Sequence, residues 1–412
     1  MKIFHTVASY FPEKNGMSEV AKRISEGLVK QGHEVVVLTG FNEKRQNDLI
    51  NGVKVVSFNI SGNYIVGIKG EAQEYIDYLI YEKYDILVNF AAQQWATDLC
   101  FDILDKIAAK KIFIPTGFSG LFLKKYESYF YEMKNWVLKY DHSIFLGYKY
   151  RDYTFCKNIC NLSNDKISVI TNGASKEEFL SVSKFDIKTK LCLNKNDKLV
   201  IHIGSYTGYK GHIECLKIFY KSKLKNTYLL FIGENFESND SLKFISKFKW
   251  LNNLNNSLFY RPWAISSFFF YFMYFLKGYS KKTFAISLKR NELIATLKQA
   301  DLFLFPSNIE CSPVVLFESM ASKTPFLVSD VGNSKEIIEW TNGGELLKTV
   351  IDKDGFSHID INASAKQLFE ILNDNKKLNL YGLNGYEAWL NNFTWEKIVI
   401  QYENLYKKII NE

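Results

Sequence analysis

Glu310 and Glu318 stand eight residues apart in ECSPVVLFES, with Pro313 between them. Two carboxylates can work as a general acid and base, or they can accept hydrogen bonds from hydroxyl groups. A proline fits the first turn of a helix, where its missing N–H costs nothing. That reading leaves Glu310 on a loop before a helix and puts Glu318 about one and a half turns inside it. Two carboxylates so placed do not make an acid–base pair. They bracket a helix entrance, where outward-pointing N–H groups attract anionic and hydroxyl oxygens.

The elements that must position these residues are read from hydrophobic periodicity. MKIFHTVAS reads as a buried strand, and SEVAKRISEGLVKQGHEVVVLTG as an amphipathic helix, a turn and a second strand. The loop YFPEKNGM between them ends in Asn15-Gly16, which makes a βαβ opening with a glycine at the helix entrance. A second opening lies in KLVIHIGSYTGYKGHIECLKIFYKS, followed by TYLLFIG, ADLFLFPS, SPVVLFESMAS and TPFLVSD. The predicted class is α/β, with two Rossmann-like halves joined between Ser175 and Leu199. Expected boundaries are 1–180 and 181–385, with an aromatic insertion at about 236–283 in the second half. A helical segment, 386–412, closes the chain and is expected to pack back on the first domain.

At 412 residues the chain suits two domains rather than one core. Its net charge of +8 is mild, suits a phosphate-bearing partner, and comes with no nucleic-acid-binding motif. The six cysteines are too thinly spread for a disulfide scaffold, and Cys156 and Cys160 lack a second Cys or His pair at metal-ligand spacing. MKIFHTVASYF lacks the apolar run of a signal peptide, so a cytoplasmic location is expected.

Four patterns now accumulate: Asn15-Gly16 after the first strand, ITNGASKEEF at 170–179, GSYTGYKG at 204–211 and ECSPVVLFESMASKTPFLVSD at 310–330. Together they resemble the family 4 retaining glycosyltransferases of the GT-B type, over nearly the whole chain except the aromatic insertion. Glu310, Pro313 and Glu318 match the family pattern position for position. The resemblance implies two Rossmann-like domains facing across a cleft and a nucleotide-diphosphate sugar, UDP- or GDP-linked, as donor. It implies that Glu310 lies against the donor sugar and Lys210 against the diphosphate, the pair carrying catalysis. Gly204 and Ser205 belong to the same phosphate loop. Gly16 lets the first-domain loop approach the diphosphate. Cys311, Ser312, Pro313 and Val314 line the helix entrance, and Glu318 accepts the ribose hydroxyls. No Asp-x-Asp motif stands in a glycine-rich loop, so neither metal nor other cofactor is expected.

Two departures from the family pattern stand out. The arginine usual after the first glycine is Ser205 here, and the first-domain histidine is absent from NFAAQQWATD, as is the one often found near PTGFSG. Gln93, Gln94 and Trp95 become the acceptor-side candidates. His212, after Lys210-Gly211, is a further candidate for approaching phosphate.

Two segments carry aromatic and basic residues together. In 122–140, Tyr126, Tyr129, Phe130, Met133, Trp136, Val137 and Tyr140 recur at helical spacing, as a core face or as a membrane- or acceptor-binding face. In 263–282, the apolar run from Trp263 to Leu276 is short for a membrane span, and Lys277, Lys281 and Lys282 close it. It suits either the headgroup region of a membrane or a buried contact. The expected function is transfer of a sugar to a hydroxyl of a glycan or lipid-linked acceptor in surface polysaccharide assembly. Two alternatives are a soluble-acceptor sugar or sugar-phosphate synthase and a non-catalytic glycan-binding subunit. The sequence carries no signal for oligomeric state.

Overall fold

The structure, a computed structural model, describes residues 1–13, 15–205, 207–233 and 283–412. The run Trp263–Leu276 and the lysines that close it lie outside the described residues.

In the first half, an eight-stranded sheet runs in the order Ile167–Val169, His142–Phe145, Lys110–Ile114, Ile86–Phe90, Lys2–Thr6, Glu34–Gly40, Val53–Phe58, Leu49–Ile50. All its pairings are parallel except that of the last edge strand. The strands read as continuous apolar runs because both faces are covered. Phe4, Leu87 and Phe113 face one core, and Ile3, Val88 and Ile112 face the other.

The second half holds a six-stranded parallel sheet in the order Thr283–Ile286, Thr227–Ile232, Lys198–Ile203, Leu302–Phe305, Phe326–Val328, Gly344–Leu346. This is the doubly wound order, and the strand sequence reverses between Lys198–Ile203 and Leu302–Phe305. In the first sheet the reversal falls between Lys2–Thr6 and Ile86–Phe90. Ligands bind beyond the carboxyl ends of strands at such points. The loops there are 7–15 and 91–94 in the first half, and 204–211 and 306–313 in the second.

The chain crosses back at its end. Helix Asn375–Asn392 packs on the second domain, where Trp389 is wholly buried and donates its indole N–H to the Ala174 carbonyl (3.1 Å). Helix Trp395–Asn411 packs on the first domain, with Ile398, Val399 and Tyr402 in the same core as Ile24 and Leu28. Glu403 meets His33 there at 3.0 Å. The expected return to the first domain is made by this last helix alone, and residues 386–392 of the expected closing segment stay with the helix on the second domain.

Candidate active site

Lys210 and Glu310 come together at the reversal point of the second sheet. The Lys210 ammonium lies 2.7 and 2.9 Å from the two carboxylate oxygens of Glu310, and the Ser307 hydroxyl donates to one of them (2.7 Å). The two loops are stitched together by Asn308 N–H donating to the Tyr209 carbonyl (2.8 Å). Gly211 makes this approach feasible. Its φ of 72° is left-handed, and a Cβ there would overlap the Pro306 carbonyl.

Gly204 lies just behind Lys210, with room for no more than a tight Cβ, 3.2 Å from the lysine's own Cβ. Ser205 is exposed. His212 and His202 are buried with ring centroids 4.5 Å apart, and burial drives both downward, His202 to about 4. They are neutral, so the expected approach of His212 to phosphate brings no charge. Helix His212–Lys221 begins at Gly211 without a side-chain cap.

The 310–318 stretch folds as its spacing requires, with one correction. Pro313 is the cap residue rather than the first helical one, since its ψ of 110° is extended and helix Val314–Ala321 starts after it. No side chain caps this entrance either. Cys311 and Ser312 hold the loop against both domains. A Cβ on Gly117 of the first domain would lie 2.7 Å from that of Cys311, and Asn172 donates to the Ser312 carbonyl (2.8 Å). Asn333 N–H donates to the Cys311 carbonyl (2.8 Å), and its side chain donates to Leu146 O (2.6 Å). Glu318 is buried within the helix, and one of its oxygens is held by Arg290 at 2.6 Å.

Across the cleft, Gly16 opens helix Gly16–Lys30 after an Asn15 cap whose side chain accepts from Ser18 N–H. Nothing in the protein lies within 4 Å of a Cβ built on Gly16, so the protein itself sets no steric need for glycine there.

The three acceptor-side candidates part ways. Trp95 is core, 4% exposed and edge-on to Tyr75, so it offers no face to a substrate. Gln94 is buried too and bridges the first-domain reversal point, accepting from Ala8 N–H (2.9 Å) and donating to the Phe90 and Ala91 carbonyls. Only Gln93 is partly exposed, and its side-chain oxygen accepts from Gly120 N–H (3.1 Å). Ala91 (φ 62°), Gln93 (φ 64°), Thr116 (φ 54°) and Phe118 (φ 45°) are all left-handed without being glycine. Strain of about 1–3 kcal/mol per residue gathered in two neighbouring loops marks a surface whose backbone shape matters more than its folding cost.

Asp98 anchors this loop, accepting from the Tyr129 hydroxyl (2.7 Å) and Tyr64 N–H (2.9 Å). Burial pushes its carboxyl up to about 6 from 3.8. The folded state keeps this proton to higher pH than the unfolded chain does. The stability it contributes is therefore full below about pH 4 and is lost as pH rises through about 6. Asp98→Asn abolishes this titration. Urea unfolding should show the variant gaining about 2–3 kcal/mol relative to wild type between about pH 4 and pH 8. A constant difference over that range would contradict the assignment.

In 122–140 the aromatic face is core: Tyr129, Phe130, Met133, Trp136, Val137 and Tyr140 are buried. Phe122, Tyr131 and Leu138 are exposed instead. Among the described residues, no group of three His, Cys, Asp or Glu side chains converges as a metal site, and no helix is long and apolar enough to cross a membrane.

Residues 276–387, which include Glu310, Pro313 and Glu318, match the family model described as glycosyl transferases group 1. An uncharacterised glycosyltransferase of Methanocaldococcus jannaschii is 24% identical over 99% of this chain and 98% of its own length. An Escherichia coli UDP-Gal:alpha-D-GlcNAc-diphosphoundecaprenol alpha-1,3-galactosyltransferase is 25% identical over 58% of this chain and 54% of its own. Sucrose-phosphate synthase from Thermosynechococcus elongatus superposes with a TM-score of 0.75 at 16% identity, covering 100% of this chain and 99% of its own. The fold is GT-B, and the matched segment is a glycosyltransferase segment.

Proposed function

We propose that this chain is a retaining glycosyltransferase of the family 4 type, moving a sugar from a nucleotide-diphosphate donor to a hydroxyl of a glycan or lipid-linked acceptor. The observation that carries the reading is the Lys210–Glu310 pair, set at the reversal point of the second sheet between two uncapped helix entrances. A diphosphate fits there, because an ammonium stands between two helix entrances that no side chain caps, each the positive end of a helix dipole. Glu310 lies at the sugar end and Glu318, deeper in its helix, at the ribose end.

In the reaction, the bond from the sugar's anomeric carbon to the phosphate oxygen breaks, and a bond to the acceptor oxygen forms on the same face. The leaving phosphate oxygen takes the acceptor's proton. The negative charge that develops is met by Lys210 and the two helix entrances. The protein's remaining task is to hold the two substrates in register. Gln93 and the left-handed 91–93 and 116–118 turns offer the acceptor a fixed surface opposite Glu310. With Lys210 supplying the positive charge, transfer is expected to persist in chelator, and loss of activity in EDTA would contradict this.

A lipid-linked acceptor, with surface polysaccharide assembly at the inner face of the membrane, is supported by exposed Phe122, Tyr131 and Leu138 beside Lys124, Lys125 and Lys139. A soluble acceptor is the second reading, favoured by the burial of the main aromatic face of 126–140. Pelleting with anionic vesicles separates them: association supports the first reading, and an unchanged soluble fraction the second. The enzyme claim itself is tested by nucleotide release from a panel of UDP- and GDP-sugars. Wild type should release nucleotide, and Glu310→Ala should lower the rate by about 10²-fold or more. Equal signal from both would leave a glycan-binding subunit as the reading.

A further inference from the structure

Glu318 does not stand alone in its helix. Its carboxylate accepts from Arg290 Nη1 (2.6 Å), and the Nη2 and Nε of the same guanidinium hold one oxygen of Glu178 (2.8 and 3.2 Å). The other Glu178 oxygen accepts from Arg23 (2.6 Å), whose Nε in turn reaches Glu19 (2.5 Å). Arg290 opens helix Arg290–Gln299 of the second domain, Glu178 sits on the connecting helix Lys176–Leu180, and Arg23 and Glu19 belong to the first-domain helix that begins at Gly16. The Arg290 guanidinium also lies over the Phe179 ring, 5.5 Å from its centroid.

A fork engaged on two carboxylates at once has no freedom to turn. It therefore fixes the rotamer of Glu318 through one oxygen, and the other oxygen takes no part in that bond. Burial pushes the Glu318 carboxyl above its usual range, and the adjacent guanidinium offsets part of that rise. A leucine at 290 could make none of these bonds, and a neutral amide lacks the charge and the fork that engage both carboxylates at once.

We infer that Arg290 is a positioning residue for donor recognition: it holds Glu318 oriented to accept ribose hydroxyls, and through Glu178 and Arg23 it ties that carboxylate to the helix carrying Gly16. The inference rests on the proposed placement of the ribose at Glu318. Its distinguishing consequence is selectivity for ribose over 2′-deoxyribose, not merely tighter binding.

The test is calorimetric titration of the full chain with UDP and GDP and with their 2′-deoxy forms, in wild type, Arg290→Gln and Arg290→Lys. Wild type should prefer the ribonucleotide by about tenfold or more, the size of a hydrogen bond to a charged group. In Arg290→Gln the preference should collapse towards unity, and Arg290→Lys should recover part of it. A merely structural role would weaken ribo and deoxy forms alike, so an unchanged ratio in Arg290→Gln overturns the inference while leaving the donor site standing. Should the glutamine variant fail to fold, the lysine variant decides, and a wild-type ratio in it overturns the inference. Wild type that binds the diphosphates without ribose preference overturns it too. Wild type that binds none of them overturns the functional reading and the inference together.

Discussion

Lys210→Met should lower the rate of sugar transfer by about 10²- to 10³-fold while leaving the fold in place. The ammonium is the one described cation on the two loops of the second reversal point, since Ser205 stands where an arginine is usual and His212 is kept neutral by burial. The pair it makes with Glu310 is partly exposed, with 28% of the lysine side chain open. Its loss costs little stability, because Ser307 still donates to the carboxylate. Charge on the departing diphosphate has no such substitute. The deficit should therefore fall on kcat as well as on donor KM, measured by nucleotide release with the best donor of the panel. A variant within threefold of wild type would show that the diphosphate is neutralised elsewhere.

Gly211→Ala should be the more damaging change to stability, with about 3–4 kcal/mol lost from the second domain. Two costs add. The left-handed φ of 72° penalises any Cβ by about 1–2 kcal/mol. The new methyl also meets backbone, the Pro306 carbonyl and Ser307 N, which forces the two loops apart at a further cost of about 1–3 kcal/mol. Gly208 is the internal control. Its φ is 83°, yet nothing lies within 4 Å of a Cβ there. Gly208→Ala should therefore show the backbone cost alone. Thermal unfolding should place Gly211→Ala roughly 10 °C below wild type and well below Gly208→Ala. Equal midpoints for the two alanine variants would mean that the loops do not meet as described.

The second-domain half of the site was legible because its signals are local. Pro313 and the apolar residues after it announce a helix entrance with Glu310 before it and Glu318 inside it, whereas Lys210 was singled out by the family resemblance and not by its spacing. Pro313 itself shifted by one residue, from helix to cap, because extended ψ at a proline cannot be seen from spacing.

The first-domain side was less legible. Trp95 and Gln94 share a motif with Gln93, and burial alone separates them. That burial depends on Tyr75 and Ala8, which are distant in sequence. Arg290 escaped notice for the same reason: its partners lie 28 and 112 residues away, on different elements. The strained turn at Thr116–Phe118 had a weak signal in PTGFSG, where Gly117 stands between the two left-handed residues and Gly120 follows them. The face 126–140 shows the limit of periodicity, since a helix stripe reads alike whether core or membrane covers it.

The central claim, that a nucleotide-diphosphate sugar sits between Lys210 and Glu318, is tested most directly by difference electron density from crystals soaked with UDP or GDP. The account predicts phosphate oxygens within hydrogen-bonding distance of Lys210 Nζ, with the Lys210–Glu310 pair loosened and the ribose hydroxyls on Glu318. Density for the nucleotide elsewhere, with Lys210 still bound to both Glu310 oxygens, would contradict it.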